Sequence, residues 1–293
     1  MIPPKERSWV WNVAVVWVAV LIALMGMSLV IPFLPLYLSE LHVPPGQVRL
    51  WAGWVGGVNF LCAALIAPLW GTLADRFGRK PMAVRALVGL AVSVWFMALA
   101  QNAYQLLALR MLQGAFGGFV AEAIALVGTS VPRERVGSSL GILQTAVVGG
   151  NLIGPVLGGE LSHHFGYRAT FRITGIALLC AMLLILTLVR ERRAPREERP
   201  HGVAKNVREL LRVPVLRWMI LVVVCSHSGL MLLNPQISLF VKDLLRQGGQ
   251  VDRIAGWVTA APAFAGFIMA PLWGRLGDLK GHAGVLGRAL ICA

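Results

Sequence analysis

The sequence predicts an all-α fold, a polytopic transmembrane helical bundle. Three observations predict it. Of 293 residues, 57% are hydrophobic and only 14% charged, with a mean hydropathy of +0.71, more apolar surface than a soluble core of this size can hide. The apolar residues gather in runs of the roughly 20 residues that a helix needs to cross about 30 Å of hydrocarbon. Finally, the run from Ala67 to Gly78, APLWGTLADRFG, returns from Ala270 to Gly281 as APLWGRLGDLKG. Each copy ends an apolar segment, the pattern of a duplicated membrane bundle.

Taken in order, spans are expected over Val10–Leu38, Val48–Trp70, Met82–Gln101, Tyr104–Ser130, Ser139–Leu161, Ala169–Val189, Val215–Val241 and Ile254–Trp273, with a ninth beginning near Gly284. The first follows a short basic start, Met1 to Arg7, and has no A-x-A-like cleavage site. It reads as a retained span and not a signal peptide. The repeat makes the seventh and eighth spans parallel copies of the first and second. At one offset Ala52-Gly53-Trp54-Val55 faces Ala255-Gly256-Trp257-Val258, Pro32 faces Pro235, Tyr37 faces Phe240 and Glu40 faces Asp243. Between the sixth and seventh spans lies the one long polar stretch, rich in arginine and broken by Pro195 and Pro200, which has linker composition. The expected organisation is a six-helix half over residues 1–189, a basic linker over 190–213 and an incomplete second half over 214–293.

The net charge of +14 and pI near 11.0 raise nucleic acid as a partner. The basic residues instead fall between spans, mostly in alternate loops and without interleaved aromatics. By the positive-inside rule they predict a cytoplasmic amino terminus and membrane lipid as surroundings. Cys62, Cys180, Cys225 and Cys292 all lie in apolar segments, so neither disulfide nor zinc chemistry is expected. No phosphate-binding loop, metalloprotease helix or Ser, His, Asp set in loops appears, so the expectation is a non-enzyme without cofactor or metal.

Three motifs carry the functional signal. Gly71-Thr72-Leu73-Ala74-Asp75-Arg76-Phe77-Gly78-Arg79-Lys80 joins the second and third spans. Its glycines permit a tight turn, and Asp75 is placed to cap a helix or pair with Arg79 or Arg85. The late copy keeps Asp278 and Gly281 but has Leu279 in place of Arg76. Within the fourth span stands Arg110-Met111-Leu112-Gln113-Gly114, followed by Gly117 and Gly118 at helical spacing. An arginine in lipid costs about 2.5–3.5 kcal/mol, so Arg110 either faces a polar interior or snorkels outward as an anchor. In the fifth span Gly150, Gly154 and Gly158 form a ridge for close helix approach, with Pro155 to bend it and Gly159 following.

These segments resemble the major facilitator superfamily, most closely its multidrug efflux (drug:proton antiporter) branch, along nearly the whole chain. The resemblance implies a gating loop at Gly71, Asp75, Arg76, Gly78, Arg79 and Lys80, with Asp278 in its late copy. It implies a proton-coupling role for Arg110 and an antiporter motif at Gly150, Gly154, Pro155, Gly158 and Gly159. Glu122, alone in apolar surroundings, reads as a proton or cationic-substrate site or as a structural carboxyl bonded to a neighbouring helix. Asn59, Gln113, Phe119, His227 and Asn234 are candidates to line a cavity, and each equally suits interhelical packing. The implied activity is proton-coupled efflux of hydrophobic drug-like compounds across the bacterial inner membrane by alternating access, by a monomer. A nutrient or sugar symporter of the same fold is one alternative. The other is a non-transporting fragment, since the family has about twelve spans and this chain stops after the eighth or early in the ninth.

Overall fold

The computed structural model describes residues 4–191, 213–214, 216–218, 221–222, 236–244 and 251–280, with side chains described from 9 onward and only to 265 in the last segment. Among the described residues every regular element is helical. The main elements are α1 (Pro4–Leu29), α2 (Leu34–Glu40), α3 (Val48–Phe77), α4 (Arg79–Met97), α5 (Ala103–Ala115), α6 (Phe119–Ser130), α7 (Val136–Leu188) and α8 (Val251–Lys280). Residues 236–244 are also helical. Helix is the form such runs must take, because in hydrocarbon each backbone N–H and C=O has to be satisfied within its own segment.

Two expected spans are interrupted, and two others run together. The first stops at Leu29, turns through Val30–Phe33 and resumes as α2. Pro32 has no N–H to give there, and the proline at Pro35 suits the first turn of α2. The fourth span is two helices, α5 and α6, so Gly117 and Gly118 do not share a continuous helix face with Gln113. Gly118 has φ +101°, a left-handed conformation that favours glycine. The fifth and sixth spans run on as α7, divided at Gly166 (φ 78°, ψ 165°), a region of backbone space essentially reserved for glycine. Pro155 lies inside α7 without interrupting its helical dihedrals.

The chain therefore shuttles between two rims. The near rim carries the start of α1, the Gly78 turn, the Val131–Arg135 turn and Val189–Glu191. The far rim carries Leu41–Pro44, Ala98–Asn102 and Gly166. Helix α1 lies along α7, α4 packs on α5, α6 and α7, α3 packs on α5, and α8 packs on α7. At the far rim Phe33 stacks on Tyr167 with 5.4 Å between centroids and meets Phe171 edge-on at 5.2 Å. There the buried Tyr37 hydroxyl donates to Met97 O at 3.0 Å, which satisfies a helix-end carbonyl. Residues 251–280, the repeat counterparts of 48–77, are helical throughout, like α3.

Candidate functional site

The predicted residues separate into three groups along the bundle. At the near rim the Gly71–Lys80 loop is a helix end, a one-residue turn and a helix start. Gly78 (φ +101°) makes the turn. Arg79 Nη2 meets Asp75 Oδ1 at 2.6 Å, and its Nη1 meets Glu122 Oε2 at 3.5 Å. Glu122 is thus buried but not alone: of the two sequence alternatives, the structure has the carboxyl bonded to a neighbouring helix, with the α4 start carrying a guanidinium to it over 43 positions of sequence. Two carboxylates share one guanidinium, a geometry in which either can change its charge while the other keeps Arg79 in place.

Asp75 pairs with Arg79 and does not cap a helix. The N-terminus of α4 is capped by Glu191 instead. Its Oε1 accepts from Arg79 N at 2.6 Å and its Oε2 from Lys80 N at 3.2 Å, while Lys80 Nζ donates to Val189 O at 2.7 Å. A carboxylate at a helix N-terminus satisfies orphan N–H groups and the positive end of the dipole. Asn12 exchanges two hydrogen bonds with the Arg190 backbone, which fixes Glu191 in reach. Sequence reading missed Glu191 because it sits at the head of a stretch read only as linker; its contact with residues over 100 positions earlier has no local signal. Arg76 makes a cation–π contact with Phe77 at 5.3 Å.

In the middle of the bundle Arg110 is buried. Its Nη1 donates to Gln113 Oε1 at 2.8 Å. Asn59 Nδ2, from α3, approaches Gln113 Oε1 and Arg110 O, each at 3.4 Å. Among the described residues Arg110 Nε has no hydrogen-bond partner. Gly114 permits this meeting, because a Cβ there would run into the Asn59 backbone carbonyl. Arg110 is therefore an interior arginine and not a snorkelling anchor, and it is brought together with two of the cavity candidates. Phe119 lies in the apolar core. His227 and Asn234 lie outside the described residues, as do most of the linker, the ninth span and the side chain of Asp278.

The glycine motif of α7 has two faces. Gly150, Gly154 and Gly158 press on the α1 backbone at Leu21–Leu29, where Ser28 Oγ also donates to Gly150 O at 2.9 Å. Gly159 faces α8: a Cβ on it would lie 2.6 Å from Asp252 O, and one on Gly256 would lie 2.5 Å from Pro155 O. Polar ties surround this crossing at the far rim. Tyr167 Oη donates to Asp252 Oδ1 at 2.7 Å and Arg253 Nε meets Glu160 Oε1 at 2.6 Å. Arg49 Nη2 meets Asp243 Oδ2 at 3.0 Å, and Lys242 Nζ donates to Ser39 Oγ at 3.3 Å. Partial burial lifts the Glu40 carboxyl above its usual range; Arg168 opposes the shift and Asp252 adds to it.

Comparison with known proteins agrees with this architecture. The multidrug resistance protein MdtG of Klebsiella pneumoniae (strain 342) is 37% identical over 288 residues, covering 97% of this chain and 69% of the relative. The protein of that name from Citrobacter koseri is 39% identical over 292 residues, covering 97% and 70%. Among solved structures, the nucleoside transporter NupG superposes with a TM-score of 0.77 at 10% identity, covering 92% of this chain and 69% of that one, a likeness of fold. The model of the Major Facilitator Superfamily matches residues 16–293, and with these multi-pass helices the chain belongs to that superfamily.

Proposed function

We propose that the chain acts in the export of hydrophobic drug-like compounds across the bacterial inner membrane, in exchange for protons and by alternating access. The observation that carries this reading is the match, along 97% of the chain, to relatives that bear the name multidrug resistance protein. The near rim is taken as cytoplasmic, because Arg76, Arg79, Lys80, Arg133, Arg135 and Arg190 gather there. In this reading residues 1–189 and 214–293 are halves joined by the 190–213 linker, substrate enters between them, and the monomer suffices.

Each group then has a task. Arg110 and Glu122 couple to protons: Arg110 through Gln113 and Asn59, Glu122 by exchanging the Arg79 guanidinium for a proton. The loop Gly71, Asp75, Arg76, Gly78, Arg79 and Lys80, with Asp278 in its copy, governs closure at the near rim. Gly150, Gly154, Pro155, Gly158 and Gly159 let α7 bear on α1 and α8 as the halves rock. Inward protons supply the drive: a potential of 100 mV gives about 2.3 kcal/mol per charge, between one and two decades of drug gradient.

The test is drug export from proteoliposomes under an imposed pH gradient. Export should rise with the inward proton gradient and lose that dependence in Arg110→Gln. Export indifferent to the gradient would remove the coupling claim. Accumulation of a polar nutrient in its place would favour a symporter.

A further inference from the structure

The fourth span is broken at Phe116–Gly118, between Arg110–Gln113 on one side and Glu122 on the other. A break in a membrane helix frees carbonyls that lipid cannot satisfy, so something in the protein must. Two side chains do so here. Trp70 Nε1 donates to Ala115 O at 2.6 Å, and Arg85 Nη2 donates to Gly117 O at 3.3 Å.

The same two side chains lie on each other. The Arg85 guanidinium carbon sits 3.6 Å from the Trp70 ring centroid, and Trp70 also stacks on Phe116, the first residue of the break, at 6.2 Å. The Phe116 ring fills the place that a Cβ on Gly89 would take, which seats the break against α4. Arg85 lies six residues inside α4, about 9 Å from its start. An arginine at such a depth has to be paired, with a carboxylate or with backbone carbonyls. Among the described residues Arg85 makes no salt bridge, and its Nη1 has no hydrogen-bond partner. Its cation–π and hydrogen-bonding contacts are the Trp70 ring, Gly117 O and, at 3.5 Å, Met82 O, with the Glu122 carboxylate near enough to act on it electrostatically but not paired with it.

We propose that Trp70 and Arg85 form a clip that holds the break in the fourth span, and so positions the Arg110–Gln113 pair relative to Glu122 during transport. The inference rests on the transport reading for its last clause only. Trp70 immediately precedes Gly71 and Arg85 follows Lys80 by five residues. The two helices that meet at the gating loop therefore each send one side chain to the same break. A shift of the loop is carried to the break by that pair, without any contact between the loop and Arg110. Neither residue touches substrate in this scheme; both are positioning residues.

The experiment uses the purified chain in lipid nanodiscs and proteoliposomes, with Trp70→Phe, Arg85→Gln and Arg85→Lys. Trp70→Phe keeps the ring and loses the donor; Arg85→Lys keeps the charge and a donor but loses the planar stacking. Amide hydrogen exchange over 116–122 should speed about tenfold in Trp70→Phe and Arg85→Gln, with an intermediate change in Arg85→Lys. Exchange in α7 over 150–158, where it bears on α1, should hold. Drug flux in the same variants should fall in kcat more than in KM. Exchange at 116–122 unchanged in both Trp70→Phe and Arg85→Gln overturns the clip, as does an equal rise in α7 over 150–158, which would mean general loosening. Faster exchange with unaltered flux overturns the positioning clause. If the parent moves no drug at all, the transport reading falls, and the exchange result alone decides the clip.

Discussion

Among the described residues, the polar contacts of the two rims differ in how far along the chain they reach. Among the described residues, the polar contacts at the near rim join parts of the chain that lie before residue 192: Asp75, Arg79 and Glu122, then Glu191 on the backbone of Arg79 and Lys80. At the far rim some contacts stay in that part, such as Tyr37 Oη on Met97 O, but others reach from residues before 168 to the segment from 242 to 253. A network confined to one proposed half survives any movement of that half against the other. A network that crosses must come apart whenever the halves separate there. Among the described residues the near-rim network thus ties together parts of one proposed half, and the far-rim ties join the two proposed halves at the end that carries Gly166.

Two adjacent glycines give the sharpest way to break this comparison. Leucine at Gly158 would drive into the Leu29 backbone carbonyl, inside the α1–α7 seam of one half. Overpacking against backbone costs about 1–3 kcal/mol or more, so Gly158→Leu should fail to accumulate in the membrane or melt far below the parent. Leucine at Gly159 meets the Asp252 carbonyl of α8 instead. That variant should accumulate and should raise the labelling of a cysteine placed at Tyr167 from the far-rim side. If the two glycines respond alike, with the same yield and the same labelling, the distinction between contacts within and across the halves is lost.

Removing the shared guanidinium comes next in size. Arg79→Gln leaves Glu122 buried and without its cation, and leaves Asp75 at an exposed rim. The partner of a partly buried pair stranded in this way should cost about 1–3 kcal/mol, most of it at Glu122. Pairing the change with Glu122→Gln should recover more than half of the loss, whereas Asp75→Asn should recover little. Thermal unfolding in detergent of the single and double variants reads this directly. Equal recovery from both partners would mean that burial at Glu122 is not what makes the near rim rigid.

How much of this was legible in the sequence depends on range. The spans up to Leu188 follow from hydropathy alone, and the Gly78 turn and the α1–α7 ridge at Gly150, Gly154 and Gly158 follow from residue spacing. The interruption at Gly118 was not read, because one more glycine among Gly114, Gly117 and Gly118 looks like a packing face until its φ is known. For Glu122 the sequence left a choice between a lone proton site and a carboxyl bonded to a neighbouring helix. Its isolation on its own helix is real, but Arg79 reaches it from another element, and helical periodicity contains no such information. Gly158 and Gly159 read as one motif for the same reason, although one step along a helix turns them about 100° apart. Local chemistry survives in a single sequence; the choice of partner across the bundle does not.

The smallest effect expected is at the Arg49–Asp243 pair. Both side chains are largely exposed, at 70% and 64%, where such a pair contributes at most about 1 kcal/mol and is screened by salt. Glu160–Arg253 is less open, with Glu160 at 29%, and sits beside the tight Gly159–Asp252 approach. Arg49→Ala should therefore shift far-rim labelling by under about fivefold, and the shift should vanish in 0.5 M salt. Arg253→Ala should shift it further and keep part of the shift in salt, because the tie beside a close backbone crossing is shielded from ions. If Arg49→Ala proved the stronger and salt-independent of the two, the closure would be held by the rim charges and not by the α7–α8 crossing, and the far rim would have to be understood as an electrostatic seal over a loose interface.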